Sequence, residues 1–289
     1  MTIPSPDGSR DRRIEDPTNL WLIHPTARAL LPRALAMGLS ANMVSVMGLV
    51  VGAAAAFAFA QWRDWRLAVV GLILAFLWLV ADGLDGMVAR ARGTSSAFGR
   101  MMDGLCDHGV FFLLYVGLAL SVGTVEGWVL AVAAGGAHAV QSSLYEAERA
   151  RFHRRLKGAP WSPAPSTGAA LVRLYDYVAG SMERIAGRFD ARLDGSSAAA
   201  GLVAAYAQRA VAPMRLLSLE TANVRVMAIF VASVAGDPRI FWWFELTVLT
   251  VVAAIGITWH RRVEASLLRR RGCAYDDANM SLYSKDHSN

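Results

Sequence analysis

Four closely spaced aspartates are the residues of this sequence best suited to chemistry. Asp82 and Asp85 are three residues apart near the end of an apolar stretch, and Asp103 and Asp107 are four residues apart near the start of the next. Either spacing places two carboxylates on one face of a helix. Because a short loop joins the two stretches, the helices should be antiparallel neighbours that turn their acidic faces towards each other.

Carboxylates gathered in this way repel one another unless cations lie between them. Ligand sets made only of oxygen select hard divalent ions such as Mg²⁺ or Mn²⁺. Ionisable groups at the level of a membrane are costly and mark a functional site by default. The alternative is that the acids cap helices or pair with Arg90, Arg92 and Arg100. Four acids on two converging faces, beside glycines, favour the metal site.

The aspartates also belong to a longer pattern, D-x2-D-G-x2-A-R-x8-G-x3-D-x3-D. Every spacing of the pattern is kept here by Asp82, Asp85, Gly86, Ala89, Arg90, Gly99, Asp103 and Asp107. In this the chain resembles the CDP-alcohol phosphotransferase family. The resemblance implies two divalent cations, Mg²⁺ or Mn²⁺, held by Asp82, Asp85, Asp103 and Asp107. It also implies that Asp107 is the general base.

The resemblance further implies a site for a CDP-linked lipid donor. Its predicted residues are Asn42, Ser45, Gly86, Ala89, Arg90, Ser96 and Gly99. The physical chemistry agrees, since a glycine lets a nucleotide approach the backbone closely and an arginine fork suits a diphosphate. Asn42 and Ser45 match the N-x-x-S/T step that typically opens the first span of the family. Taken alone, the same two residues would be ordinary helix-start residues.

Selectivity for the acceptor alcohol should come from polar residues at the ends of the later apolar stretches. The candidates are Tyr145, Arg149, Arg151, Asn223 and Arg225. Arg225 is the only basic residue well inside a predicted span, and a phosphate on the acceptor would give it a partner. An equally good alternative is an internal pair of Arg225 with Glu220 or with an aspartate of the site.

The elements that position these residues are expected to cross a membrane. Hydrophobic residues make up 55% of the chain and charged residues only 18%, which is too apolar for an ordinary soluble domain. Six segments are long enough to cross the hydrocarbon layer of a bilayer. They lie near 42–61, 67–89, 101–122, 127–147, 214–235 and 240–259. The predicted fold is therefore an all-α integral membrane protein with six transmembrane helices.

The remaining segments are predicted from their charge and periodicity. We expect a flexible cytoplasmic tail at 1–19, an interfacial amphipathic helix at 20–37, a membrane domain at 38–260 with an insert at about 150–212, and a basic tail at 261–289. The basic clusters all fall on one side of six spans, which predicts that both termini are cytoplasmic. An alanine-rich chain with more arginine than lysine suggests a bacterial inner membrane.

The function that these features favour is phospholipid synthesis. The expected reaction transfers a phosphatidyl group from CDP-diacylglycerol to a small polar alcohol, by an enzyme that the family resemblance predicts to be a homodimer. A close alternative uses a CDP-amino-alcohol donor and a diacylglycerol acceptor, and a cation transporter is an alternative of another class. The net charge of +6 suits anionic membrane lipid. Nucleic-acid binding is not expected, because no basic motif of a known reader occurs.

Overall fold

The computed structural model describes residues 11–157 and 199–286, and it describes side chains within 11–157 and 201–269. Every regular element in these ranges is a helix, which agrees with the all-α prediction. The central part of the predicted insert, 158–198, lies outside the described residues. The first ten residues of the predicted N-terminal tail do so as well.

Within each of the two described ranges, short connections join the helices. They are α1 (His24–Ala36), α2 (Ala41–Ala60), α3 (Trp65–Arg92), α4 (Ala97–Val122), α5 (Val125–Leu156), α6 (Ala199–Arg209), α7 (Val211–Leu217), α8 (Ala222–Val234), α9 (Arg239–Trp243) and α10 (Thr250–Asp286). Shorter turns of π-helix precede α1 at Asn19–Ile23 and join α9 to α10 at Phe244–Leu249. A 3₁₀ turn, Ser218–Glu220, joins α7 to α8.

Within the described ranges, four helices are long and apolar enough to cross a membrane. They are α2, α3, α4 and the continuous helix Arg239–Arg269. A fifth span results if Val211–Glu220 and Ala222–Val234, bent by 46° at their junction, count as one. The predicted number of six is thus not confirmed, because α5 does not meet the same criterion. Its first half mixes apolar residues with Glu126, His138 and Gln141.

Local signals in the sequence set the ends of the site-bearing helices. Ser40 caps α2 by accepting a hydrogen bond from the backbone N–H of Met43, and Ser96 caps α4 by accepting from Gly99. Such caps satisfy backbone donors that the first turn of a helix leaves unpaired. Helix α3 ends at Gly93, whose φ of 65° lies in the left-handed region that glycine adopts without strain. The loop from α3 to α4 is therefore short and sharply defined.

Helices α2, α3 and α4 pack closely around the aspartates. A Cβ atom at Gly52 of α2 would overlap both methyl groups of Val110 on α4, so the two helices meet at van der Waals distance only because position 52 is glycine. Small residues allow such contacts between membrane helices. Phe59, Trp78 and Val110 belong to one buried apolar cluster that holds this part of the bundle together.

The N-terminal segment from Asp11 to Thr18 packs on the helices, although a flexible tail was expected there. Ile14 is 1% exposed and belongs to a second apolar cluster with Tyr145, Phe152 and Tyr206, among others. Its neighbour Glu15 is also buried. The segment differs from the expectation because Ile14 inserts into the second apolar cluster while the polar residues around it find hydrogen-bond and ion-pair partners on the helices. Those partners could not be identified from a local pattern.

Helix α1 coincides with the predicted interfacial helix. Its Ala27 and Ala34 are buried in the main apolar cluster, whereas Trp21 and Leu22 in the preceding π-turn are 74% and 47% exposed. One side of this segment therefore packs on the bundle while large apolar side chains face outwards. An interfacial position in a membrane remains a prediction that this arrangement is compatible with.

Candidate active site

Three of the four motif aspartates meet where α3 ends and α4 begins. Carboxylate oxygens of Asp82, Asp85 and Asp103 all lie within 4.8 Å of one another. Asp85 is buried at 4% exposure, and the other two are half-buried. The spacing of three residues on α3 brings Asp82 and Asp85 together, and Asp103 at the start of α4 joins them, so the acids converge as the sequence predicted. Helix α2 contacts both α3 and α4 along their lengths. We call these three residues the carboxylate cluster.

Asp107 lies one helical turn beyond Asp103 and is held separately. Its Oδ1 accepts a hydrogen bond from Nε1 of Trp78 at 3.3 Å, and its carboxylate also comes within hydrogen-bonding reach of Asp82. Asp107 therefore borders the carboxylate cluster. This position is compatible with both roles that the family resemblance predicts for it, metal ligand and base.

Helix α2 contributes directly to the cluster through Ser45. The hydroxyl of Ser45 donates to Oδ2 of Asp85 at 2.6 Å, and the pair is buried. The same hydroxyl lies 3.2 Å from the carbonyl of Ala41, one turn earlier. A residue predicted to line the donor pocket thus orients a carboxylate in this structure.

The predicted donor residues form two small groups near the cluster. A Cβ atom at Gly86 would lie 3.2 Å from Nη1 of Arg90, so the guanidinium lies over the glycine. A Cβ atom at Gly99 would lie 3.2 Å from Oγ of Ser96 and 3.7 Å from Oδ1 of Asn42. The start of α4 and the start of α2 therefore meet at Gly99. Ala89 is half-buried on α3 beside Arg90.

The predicted acceptor residues have partners elsewhere in the protein. Arg149 pairs with Glu15 and Glu146, both at 3.1 Å. The amide of Asn223 donates to Asp16 at 2.9 Å. Arg151 pairs with Glu148, and Tyr145 is buried in the second apolar cluster. These contacts give all four residues a role in packing, and an acceptor-binding role for them remains a proposal.

Arg225, the fifth predicted acceptor residue, is fully buried between two carboxylates. Its Nη2 lies 2.8 Å from Glu220, and its Nε lies 3.0 and 3.2 Å from the two oxygens of Glu245. Gln141 accepts from Nη2 at 2.9 Å. This is the internal pair that the sequence left open as an alternative. We call Arg225, Glu220 and Glu245 the buried triad.

A second group of titratable side chains, which sequence reasoning missed, joins α5 to α10. Nδ1 of His260 lies 2.5 Å from Glu148, its Nε2 lies 2.8 Å from the hydroxyl of Tyr206, and Arg261 pairs with both Glu148 and Glu264. Burial alone would raise the pKa of Glu148. The hydrogen bond and charge of His260, with Arg151 and Arg261, instead lower that pKa to about 2. The arrangement is an ion-pair network that ties two helices together.

The segment that contains these aspartates matches a known protein family. The family model described as CDP-alcohol phosphatidyltransferase matches residues 38–204, more than half of the 289-residue chain. The chain belongs to this family. The match starts just before α2 and includes all of α3 and α4, so it contains the carboxylate cluster and Asp107. Membership supports a phosphotransferase enzyme, with lipid synthesis in a membrane as its setting.

A curated relative is similar to part of this chain. The chain is 31% identical over 112 residues to a protein described as cholinephosphotransferase 1 from Xenopus laevis. The alignment covers 38% of this chain and 27% of the relative. The similarity therefore concerns about a quarter of the relative's length. It comes from a eukaryotic protein, whereas composition suggested a bacterial source.

The carboxylate cluster fits the divalent cations on which the family depends. It offers only oxygen ligands, within a distance that one or two small ions can bridge, and hard cations such as Mg²⁺ and Mn²⁺ prefer oxygen. The residues that would hold metal are therefore Asp82, Asp85 and Asp103, with Asp107 beside them.

Ser45→Ala should weaken metal binding more than donor binding. The substitution removes the donor that orients Oδ2 of Asp85, and loss of such an outer partner typically costs about 10- to 100-fold in metal affinity or activity. We expect the dissociation constant for Mn²⁺, measured by electron paramagnetic resonance without substrates, to rise at least about tenfold. The KM for the lipid donor should change much less.

Ser233 provides the matched control for this prediction. It is equally buried, but its hydroxyl donates to the carbonyl of Ile229 in its own helix. Ser233→Ala should leave Mn²⁺ binding unchanged, and Ser45→Thr, which keeps a hydroxyl, should retain most of it. A Ser45→Ala protein with normal Mn²⁺ affinity and a raised donor KM would instead assign Ser45 to the donor pocket.

Proposed function

We propose that this protein transfers the phosphatidyl group of CDP-diacylglycerol to the hydroxyl of a small polar alcohol and releases CMP. The observation that carries the proposal is the carboxylate cluster with Asp107 beside it, in a chain of the CDP-alcohol phosphatidyltransferase family. Gly86 and Arg90 on one side of the cluster, and Asn42 and Gly99 on the other, support binding of a diphosphate there.

The reaction forms one P–O bond and breaks another. The acceptor hydroxyl oxygen attacks the phosphorus that carries the diacylglycerol, and the bond from that phosphorus to the bridging oxygen breaks, so CMP leaves with the oxygen. Asp107 accepts the proton of the attacking hydroxyl, as a general base positioned at the edge of the site. Divalent cation, when bound, neutralises the diphosphate and stabilises the departing CMP.

Arg90 is the side chain of the site that would bind the diphosphate directly. Its guanidinium presents several N–H donors in a plane, which matches phosphate oxygens, and it lies over Gly86, where a side chain would crowd it. Asn42 and Ser96, which meet at Gly99, would contact the nucleotide end of the donor. The proposed acceptor residues lie on α5 and α8, so the acceptor alcohol would approach from those helices.

A second candidate reaction is favoured by the curated relative. That protein is described as a cholinephosphotransferase, and such an activity would pair a CDP-amino-alcohol with diacylglycerol. The aspartates would perform the same chemistry on either donor, since both contain the same cytidine diphosphate. The two reactions therefore differ in the lipid and alcohol pockets and require a direct test.

The test is CMP release by the purified protein in detergent. CDP-diacylglycerol would be supplied with Mg²⁺ or Mn²⁺ and, one at a time, glycerol 3-phosphate, inositol phosphate, inositol, serine or choline. CDP-choline and CDP-ethanolamine with diacylglycerol form the second arm. Release of CMP with one acceptor in the first arm, abolished by chelator, supports the proposal. Release only in the second arm overturns it in favour of the alternative.

The cellular setting belongs to the same proposal. With both termini in the cytoplasm, the carboxylate cluster would lie at the cytoplasmic leaflet, where water-soluble acceptors are available. The protein would be a homodimer. Accessibility of cysteines introduced before α1 and between α3 and α4 to a membrane-impermeant reagent would test the orientation. Both should react only after the membrane is opened. Crosslinking in membranes would test the dimer.

A further inference from the structure

We propose that Trp78 is a positioning residue for Asp107, an inference that deepens the proposed function and rests on it. The indole N–H of Trp78 donates to Oδ1 of Asp107 at 3.3 Å. Trp78 lies outside the family pattern, four residues before Asp82, and nothing in its residue type suggests chemistry. The contact becomes visible only when α3 and α4 are brought together.

The position of Trp78 on α3 directs its ring towards α4. Residues four apart lie on the same helical face, so Trp78 shares a face with Asp82, and Phe111 on α4 shares one with Asp107. The rings of Trp78 and Phe111 pack edge to face, with centroids 5.4 Å apart and planes at 79°. Each helix thus provides one aromatic ring and one aspartate to the same contact.

Helix α2 also packs against the indole of Trp78, in addition to α3, which carries it, and α4, which contributes Phe111. A Cβ atom at Gly48 would lie 3.6 Å from Cδ1 of Trp78, so the α2 backbone lies close to the edge of the ring that carries the N–H. Trp78 is 2% exposed. A ring held by three helices has little freedom to rotate, and its N–H therefore points in a fixed direction.

The chemistry of an indole suits this task. Its N–H is a donor only and carries no charge, so it can fix one carboxylate oxygen without neutralising the base. A buried indole N–H also needs an acceptor, so the hydrogen bond to Asp107 stabilises the buried position of Trp78 itself. With Oδ1 fixed, the other oxygen of Asp107 is oriented by the same contact. An arginine or lysine at this position would compete with the metal for the carboxylate.

The matched pair of variants for this proposal is Trp78→Phe and Trp62→Phe. Trp62 also donates an indole hydrogen bond, to the hydroxyl of Ser121 at 3.0 Å, but that contact lies at the other end of the helices. We expect Trp78→Phe to lower kcat for CMP release about tenfold or more, in line with other outer partners of a site. KM for the donor and the dissociation constant for Mn²⁺ alone should change less than about threefold, because the carboxylate cluster is unchanged. Trp62→Phe should keep the wild-type kcat.

A replacement that keeps the ring size separates positioning from packing. Benzothienylalanine at position 78 has a sulfur atom where tryptophan has its N–H and retains the bicyclic ring. The same loss of kcat in this protein supports positioning through the hydrogen bond, and full activity overturns it. This variant also covers the case in which Trp78→Phe fails to fold.

Nuclear magnetic resonance of the indole N–H groups tests the contact without any substrate. In protein labelled with ¹⁵N-tryptophan, Asp107→Ala should shift the Trp78 resonance and leave that of Trp62 in place. An unmoved Trp78 resonance contradicts the hydrogen bond and overturns the proposal. This readout does not depend on turnover. If the wild-type protein releases no CMP from any donor, the proposed function fails while the contact is still tested.

Discussion

Asp107→Asn should reduce kcat for CMP release by about 10²- to 10⁴-fold, the usual contribution of a general base. The amide cannot accept the proton of the attacking hydroxyl, yet its oxygen can still accept the hydrogen bond from Trp78. Because Asp82, Asp85 and Asp103 remain, the protein should still bind Mn²⁺. The measurement is a steady-state assay together with a Mn²⁺ titration of the same preparation.

Asp64 offers a matched control for the same substitution. Its side chain caps α3 at the opposite end of that helix by accepting from the backbone N–H of Arg66. Asparagine caps helices about as well as aspartate, so Asp64→Asn should be fully active. If Asp107→Asn keeps more than about a tenth of the wild-type kcat, another group takes the proton. If it loses Mn²⁺ binding together with activity, Asp107 acts mainly as a ligand.

Arg225→Met should lower the free energy of unfolding by about 3–5 kcal/mol, since removal of one partner from a buried pair leaves an uncompensated charge. In this case the carboxylates of both Glu220 and Glu245 would remain, each 0% exposed. The effect is measured as a lower unfolding temperature in detergent, where unfolding is monitored through the amount of monodisperse protein that remains after heating. Arg66→Met, at an exposed position, should leave the unfolding temperature unchanged.

Removal of the remaining charges should restore most of the lost stability. When Arg225→Met is combined with Glu220→Gln and Glu245→Gln, no buried charge of the triad is left unpaired. The activity of the folded triple variant then distinguishes a structural role of Arg225 from a role in acceptor binding. A folded triple variant with a normal KM for the acceptor assigns Arg225 to the scaffold. A large rise in that KM assigns it to the acceptor site, and an Arg225→Met protein of normal stability contradicts the structural role.

The sequence predicted the part of the site that depends on local periodicity. Asp82 and Asp85 share a helical face because of their spacing, and the short capped loop at Gly93 brings the end of α3 and the start of α4 together. Together with the fixed identities of the pattern, this was enough to predict the carboxylate cluster, and the predicted family is confirmed.

The contacts between helices required information that no local pattern contains. Ser45 donates to Asp85 because α2 approaches α3 and α4 closely at Gly48 and Gly52, and this register depends on the shape of several side chains at once. Trp78 was missed for the same reason. The predicted six spans are not confirmed, because length and apolar content at 127–147 did not account for the polar residues of α5.

The seated N-terminal segment has a consequence for biosynthesis. Its polar contacts reach residues that are made much later, since Asp16 accepts from Asn223, 207 positions further on, and the backbone carbonyl of Arg13 accepts from Arg215. At about 5–20 residues per second, a ribosome takes on the order of 10–40 s to cover that distance. The segment therefore cannot complete these contacts until the later helices have been synthesised, so it docks after much of the described chain has been made.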